Sequence, residues 1–232
     1  MPANNIEQLL KNHASEFHKV VPFEKGYKLL LLDFTEKNKE LSREILENTN
    51  RFIKYINSKL EAAGAKYGIG GYAEHRTIYE MSPVFDSPGG AEPRRLHLGI
   101  DIWGRPYTKV MAPWDGIVHS FAFNNAFGDY GATIILTHNL EGQTFHTLYG
   151  HLSLNSIKNI QEGDRIKKGD VFTEFGIPFE NGQWPPHLHF QLIIDMEGKT
   201  GDYPGVCKFS ERENYLNNCP DPDLVLQMMP LS

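Results

Sequence analysis

Cysteine is scarce, with only Cys207 and Cys219 among 232 residues. So sparse a pair cannot staple a disulfide scaffold and lacks the C-x-x-C spacing of a thiolate metal site, so both read as ordinary reduced thiols. Long apolar runs are missing as well. The densest is Leu29 to Leu32, far short of the roughly 18 residues of a membrane span. There is no excess of positive charge: 23 Lys and Arg stand against 29 Asp and Glu, a formal charge of −6. A nonspecific grip on nucleic acid or anionic membrane therefore has little electrostatic support. Near the start, Asn4, Asn5 and Glu7 stand where a secretory signal needs a basic and then an apolar stretch. The expectation is a cytoplasmic protein, or a periplasmic or extracellular one if a leader has been removed. No H-E-x-x-H, G-x-S-x-G or P-loop motif occurs, which excludes helical metalloprotease chemistry and gives no sign of a nucleophile elbow or a phosphate cradle.

What is present suffices for a real core. With 40% hydrophobic and 22% charged residues, the chain reads as one large domain or a domain with an appendage. Residues 1–66 carry apolar positions at helical spacing, with Asp33 and Glu36 at capping-box distance and Gly64 as a stop, which predicts an N-terminal helical segment. Residues 67–94 are rich in Gly and Pro and read as a linker arm. From 95 to 198 the pattern changes to short strands at close spacing, among them GIVHSFAF, ATIILTHN, FHTLYGHL, DVFTEFG and HLHFQLIID, which predicts an antiparallel β core. Residues 199–232 form an irregular, Pro-rich extension with one helical turn around Glu211 to Leu216. The fold class expected is α+β, mainly β.

Histidine is the compositional oddity, because seven of the ten lie between His97 and His189. In RRLHLGIDIWG, His97 and Asp101 are four apart, an even offset that puts both on one face of a strand. In PPHLHFQLII, alternation sends Leu188, Phe190 and Leu192 into a core and His187, His189 and Gln191 to the other, exposed face. His151 closes a third strand in TLYGHLS. Three such clusters on a β scaffold supply the three protein ligands and open fourth position of a catalytic zinc site. Two histidines are then left for acid-base work, which hydrolysis requires. His119 and His138 read as structural or solvent-facing. His146 is an odd five residues from His151 and on a regular strand points to the other face. Glu74, His75 and Glu92 lie just upstream of His97, close enough in sequence to suggest a latency contact with the open metal position.

The ordered motifs HLGID, APWDGIV, DYGATIILTH, TLYGHLS, EGDRIKKGD and PPHLHFQL over about residues 95–195 resemble the lysostaphin-type, or LytM-like, zinc endopeptidases. The resemblance implies zinc held by His97, Asp101 and His189, with His151 and His187 as the two metal-free catalytic histidines. It also implies a compact antiparallel sheet or sandwich of the duplicated hybrid motif type, and a peptide or peptidoglycan-fragment substrate with glycine or a D-residue beside the cleaved bond. Trp184-Pro185-Pro186 replaces the small residues usual before HLH, and Gln191 stands where relatives commonly have Glu. The flanks, GGYAEHRTIYE and the segment from Gly201 to Leu226, resemble a LytM-like domain of intracellular aminotransferase and phosphotransferase multidomain proteins. That narrower likeness implies an alternative, a cytosolic zinc hydrolase of a small amide or modified amino compound. Relatives that have lost ligands suggest another, a noncatalytic binding module.

Overall fold

In the computed structural model, which describes residues 3–229, twelve short strands run in chain order. They are Leu29–Leu31 (β1), Tyr67–Gly70 (β2), Leu96–His97 (β3), Ile100–Trp103 (β4), Lys109–Met111 (β5) and Gly116–Asn124 (β6). Then follow Gly131–Leu140 (β7), Gln143–Leu152 (β8), Arg165–Ile166 (β9), Val171–Glu174 (β10), His187–Ile193 (β11) and Val206–Cys207 (β12). Eight of them form one sheet in the order β1-β2-β4-β11-β8-β7-β6-β9, while β5/β10 and β3/β12 pair separately. Every pairing is antiparallel except β1 with β2. The β7–β8 hairpin closes on Glu141 and Gly142, both at positive φ (50° and 80°), the turn geometry that matches the twist of two antiparallel strands.

Alternation along β4, β8 and β11 decides what each face of the sheet carries. Ile100, Ile102, Tyr149, Leu188, Phe190 and Leu192 enter one core with Ile6 and Leu10 of the helix Ala3–Asn12 (α1). On the opposite face Trp103 and Trp184 meet Phe34 and the apolar side of Thr49–Ala63 (α3), where Phe52, Ile56 and Leu60 recur at helical spacing. The short helix Arg43–Leu46 (α2) precedes α3, and Arg212–Asn218 (α4) and Asp223–Leu226 (α5) give the C-terminal extension its helical turns.

The expected mainly β architecture is present, but the N-terminal segment is not helical throughout. Between α1 and α2 it adds β1 to the main sheet, and its two long helices pack on opposite faces rather than as a separate layer. Asp33 caps no helix: its carboxylate accepts from Thr35 N and Oγ1 in a local turn. Ser42 and Asn48 take the capping role instead, and Gly64 ends α3 at φ 59° as the sequence suggests. The Gly-rich start of the expected linker arm is strand β2, buried along its length. Gly68 and Gly70 there stand opposite Trp103 and Asp101, and a Cβ on Gly70 would come within 2.7 Å of the Arg76 guanidinium. These glycines serve close approach of neighbouring side chains rather than a loop.

Candidate functional site

The histidine-bearing face is shaped by register. In the β4–β11 ladder His189 lies directly opposite Asp101, and His187 opposite Trp103. Directly opposed residues project to the same side, so all four side chains share the face away from Ile100 and Leu188. His97 arrives differently from the sequence expectation of one continuous strand, since β3 ends at His97 and pairs with β12. The chain then turns through Leu98 and Gly99 before β4 begins. A Cβ at Gly99 would sit 2.5 Å from the His189 ring, so the missing side chain permits this close packing.

His151 reaches the same face through an irregularity. Between the pairs Tyr149↔Ile134 and Leu152↔Ala132, β8 holds one residue more than β7, and His151 adopts φ 63°. A left-handed non-glycine residue costs roughly 1–2 kcal/mol. Here it is pinned by hydrogen bonds from its own N–H to Tyr130 O and from Gly176 N–H to its carbonyl. The bulge also overturns the parity argument used against His146. His146 pairs with Ile193, two register steps from Gln191 and four from His189, and so shares their face. It is separated from the site by distance along the strand, where it contacts Thr137 and stacks edge-on to His119. His138 is held between the Asp115 carbonyl and Thr147.

Among the described residues, the one group of side chains suited to a metal ion is His97, Asp101 and His189. His97 Nε2 lies 3.0 Å from His189 Nδ1 and 3.2 Å from Asp101 Oδ1, and His189 Nδ1 lies 3.0 Å from Asp101 Oδ1. Donors on one tetrahedral face around zinc, at bond lengths near 2.0–2.1 Å, stand roughly 3.3 Å apart, so the three need to spread by only tenths of an ångström. Their outer contacts aim the lone pairs. His97 Nδ1 donates to Gly71 O at 3.0 Å, which leaves Nε2 unprotonated. His189 Nε2 donates to Gln191 Oε1 at 2.9 Å, which leaves Nδ1 free. The Gln191 amide is itself oriented, because Nε2 donates to Pro204 O and Cys219 Sγ. Such outer partners fix tautomer and ring orientation in metal sites.

His151 and His187 sit beside the trio, their ring centroids 4.1 Å apart. His151 donates Nδ1–H to Asn181 O, and His187 donates Nδ1–H to Pro185 O, so both Nε2 atoms carry lone pairs. His187 is stacked on Trp103 at 3.9 Å. None of the five side chains is more than 6% exposed, whereas the sequence suggested an open face. The cover is the loop 78–85 and the segment 202–206, which with Trp184 and Tyr130 wall a cavity of about 130 Å³.

Burial governs the charge states. It pushes His97 down to about 4, with the Arg76 cation adding to the effect. It also pushes His187 down to about 4 and His151 well below its usual value, the latter helped by the neighbouring histidines. For Asp101 burial acts upward, but His97, Arg76 and the hydrogen bonds prevail and hold the carboxyl well below the ordinary range. With His97 neutral near pH 7, Arg76 is the cation that keeps Asp101 ionised.

The upstream polar residues do not join the trio. Glu74 pairs with Arg76, His75 packs against Phe209, and Glu92 accepts from Ser210. Arg76, Tyr130 and Trp103, which touch Asp101, His189 and His187, escaped the sequence reading. The even spacing of Asp101 and Trp103 on one strand could have marked Trp103, whereas Arg76 and Tyr130 reach the site across the fold and nothing in their spacing marks them.

Residues 95–201 match the family described as Peptidase family M23. A Haemophilus influenzae protein called an uncharacterized metalloprotease is 28% identical over 185 residues, covering 75% of this chain and 36% of the relative. The L-Ala--D-Glu endopeptidase of Bacillus subtilis is 29% identical over 130 residues, covering 54% of this chain and 37% of that protein. The chain thus spans little more than a third of the length of these curated relatives. Among solved structures, the catalytic domain of lysostaphin from Staphylococcus simulans aligns with TM-score 0.40 and 22% identity, covering 70% of this chain and 96% of that one.

Proposed function

We propose, from the premise that residues 95–201 form a peptidase family M23 domain, that this protein is a zinc-dependent metalloendopeptidase of short peptidoglycan-type peptides. In this reading His97, Asp101 and His189 hold zinc, and His151 and His187 are the catalytic imidazoles. The observation that carries it is the trio of donor atoms 3.0–3.2 Å apart with both imidazole tautomers set by outer hydrogen bonds. Two nitrogens and one carboxylate oxygen, with an approach left from the cavity, are the donor set of a catalytic zinc site. The endopeptidase named for an L-Ala–D-Glu bond supports a short peptide containing a D-residue as substrate.

Zinc, when bound, supplies Lewis acidity that polarises a carbonyl and acidifies water. The chain's own part is proton handling and orientation. His151 and His187, neutral near pH 7, offer Nε2 as acceptor for the proton of the attacking water. The low proton affinity imposed by burial lets the same pair return that proton to the departing amide nitrogen. Trp103 holds His187 in plane, and the Asn181 and Pro185 carbonyls keep both Nδ1 atoms protonated.

A cavity of about 130 Å³ behind that cover favours a second reading in which the substrate is a small amide. The test measures metal content and hydrolysis on one substrate panel, muropeptides with D-residues, oligoglycine and small amides. About one zinc per chain with muropeptide cleavage is expected, while turnover confined to small amides would select the second reading. His189→Ala should lose metal and activity together. His151→Ala should keep metal and lose turnover by about a hundred- to ten-thousand-fold. A His151→Ala protein with undiminished turnover would refute the assigned role, and a chain that binds no metal would refute the enzyme reading.

A further inference from the structure

The two oxygens of Asp101 face different partners. Oδ1 lies within the trio, 3.0 Å from His189 and 3.2 Å from His97. Oδ2 accepts a hydrogen bond from Arg76 Nη1 at 2.5 Å. Arg76 has no solvent exposure. Its Nε donates to Glu74 at 2.6 Å, and its guanidinium carbon lies 5.3 Å from the centre of the Phe34 ring. The space it occupies exists because residue 70 is glycine.

A buried guanidinium is expensive to desolvate, and a whole buried ion-pair cluster can commonly be replaced by apolar side chains of similar volume with no loss of stability. The planar fork does something an apolar residue cannot: it grips a carboxylate oxygen with fixed direction. Glu74 balances the added positive charge, so the Asp101 carboxylate is oriented without a net cation set against an incoming metal.

We propose that Arg76 is the positioning residue of the metal centre: by occupying Oδ2 it restricts Asp101 to ligation through Oδ1 alone. A carboxylate free to rotate would present both oxygens and fill a position that water or substrate needs. Through Phe34 and Glu74 the N-terminal segment and the arm after β2 thereby brace the metal centre. This inference rests on the zinc reading above.

The test uses the full chain and zinc itself, with affinity measured by competition against a chromophoric chelator. The visible spectrum of the Co²⁺-loaded protein reports coordination number. Arg76→Gln should bind zinc about 10- to 100-fold more weakly, with a Co²⁺ absorption diminished as a second carboxylate oxygen enters. Arg76→Lys should recover part of the affinity, because an ammonium can grip Oδ2 but not also Glu74 in the same plane. Glu74→Gln should show a smaller loss in the same direction. A general loss of folding lowers the amount of zinc bound but leaves the affinity and spectrum of the folded fraction unchanged. Wild-type affinity and spectrum in folded Arg76→Gln would overturn the proposal. Should that variant not fold, unchanged affinity and spectrum in both Arg76→Lys and Glu74→Gln would overturn it. Zinc binding by wild type separates this outcome from failure of the metal reading itself.

Discussion

Acidification of the metal-free protein should destabilise it steeply, and His138 shows why. This imidazole is 1% exposed, donates Nδ1–H to Asp115 O and accepts at Nε2 from Thr147 Oγ1 at 2.7 Å. A second ring proton would abolish that acceptor and place a charge in the core. Burial accordingly lowers its pKa from 6.5 to about 4. Between those values the unfolded chain binds a proton that the folded chain refuses, so stability rises with pH there and falls as pH is lowered. At about 1.4 kcal/mol per pH unit, the loss from this one group reaches roughly 2 kcal/mol at pH 5 and about 3 kcal/mol near pH 4. His146 and His187 are also lowered to about 4, chiefly by burial, and act in the same direction. His13 opposes them: burial, its largest single influence, lowers its pKa but is outweighed by the combined hydrogen bonds and charges of Glu16 and Glu141, which raise it, and that pairing is at the surface, where such effects are weak. Against a typical total of about 5–15 kcal/mol, the buried set removes a large share. Urea unfolding of chelator-treated protein at pH 7.5 and pH 5 measures it, and His138→Gln should show a pH slope shallower by about one proton. A midpoint unchanged or rising on acidification, or an unaltered slope in His138→Gln, would refute the reasoning.

Asn181→Ala removes side-chain bonds to Gly176 O, Trp184 O and Trp184 N beneath the carbonyl that orients His151. We expect a stability loss of about 1–3 kcal/mol and a fall in turnover at unchanged zinc affinity, read by thermal melts, kinetics and chelator competition. Gln191→Glu would set a carboxylate oxygen against Pro204 O and Cys219 Sγ, the present acceptors of its amide. It should destabilise by about 1–3 kcal/mol, and a midpoint at or above wild type would contradict the assigned amide orientation. Zinc added at 100 times its dissociation constant should stabilise the fold by about 2.7 kcal/mol. His189→Ala should lose that gain, and retention of it would place the metal elsewhere.

Much of this protein could be read from local pattern. Period-two alternation in HLHFQLII sorts Leu188, Phe190 and Leu192 from His187, His189 and Gln191 whatever the neighbouring strands are, because a strand's side chains alternate by covalent geometry. Gly64 stops α3 for an equally local reason, its left-handed φ. The short strands and the candidate side chains His97, Asp101, His151, His187 and His189 were therefore legible. Local pattern misled where long-range packing changes the geometry: the Gly-rich stretch after Gly64 reads as a loop, yet the neighbouring chain makes it a strand whose glycines admit Leu32 and Arg76.

Residue type and spacing by themselves brought out five candidate side chains, His97, Asp101, His151, His187 and His189, and a mainly β scaffold, since each depends on chemistry carried within a few residues, whereas their division into ligands and an acid-base pair came from the resemblance to the lysostaphin-type endopeptidases. Only the tertiary structure decided that His151 turns inward through a left-handed bulge, that the histidine face is covered, and that Arg76 grips the outer oxygen of Asp101. Those features arise from contacts between segments far apart in the chain, whose distances no sequence spacing encodes.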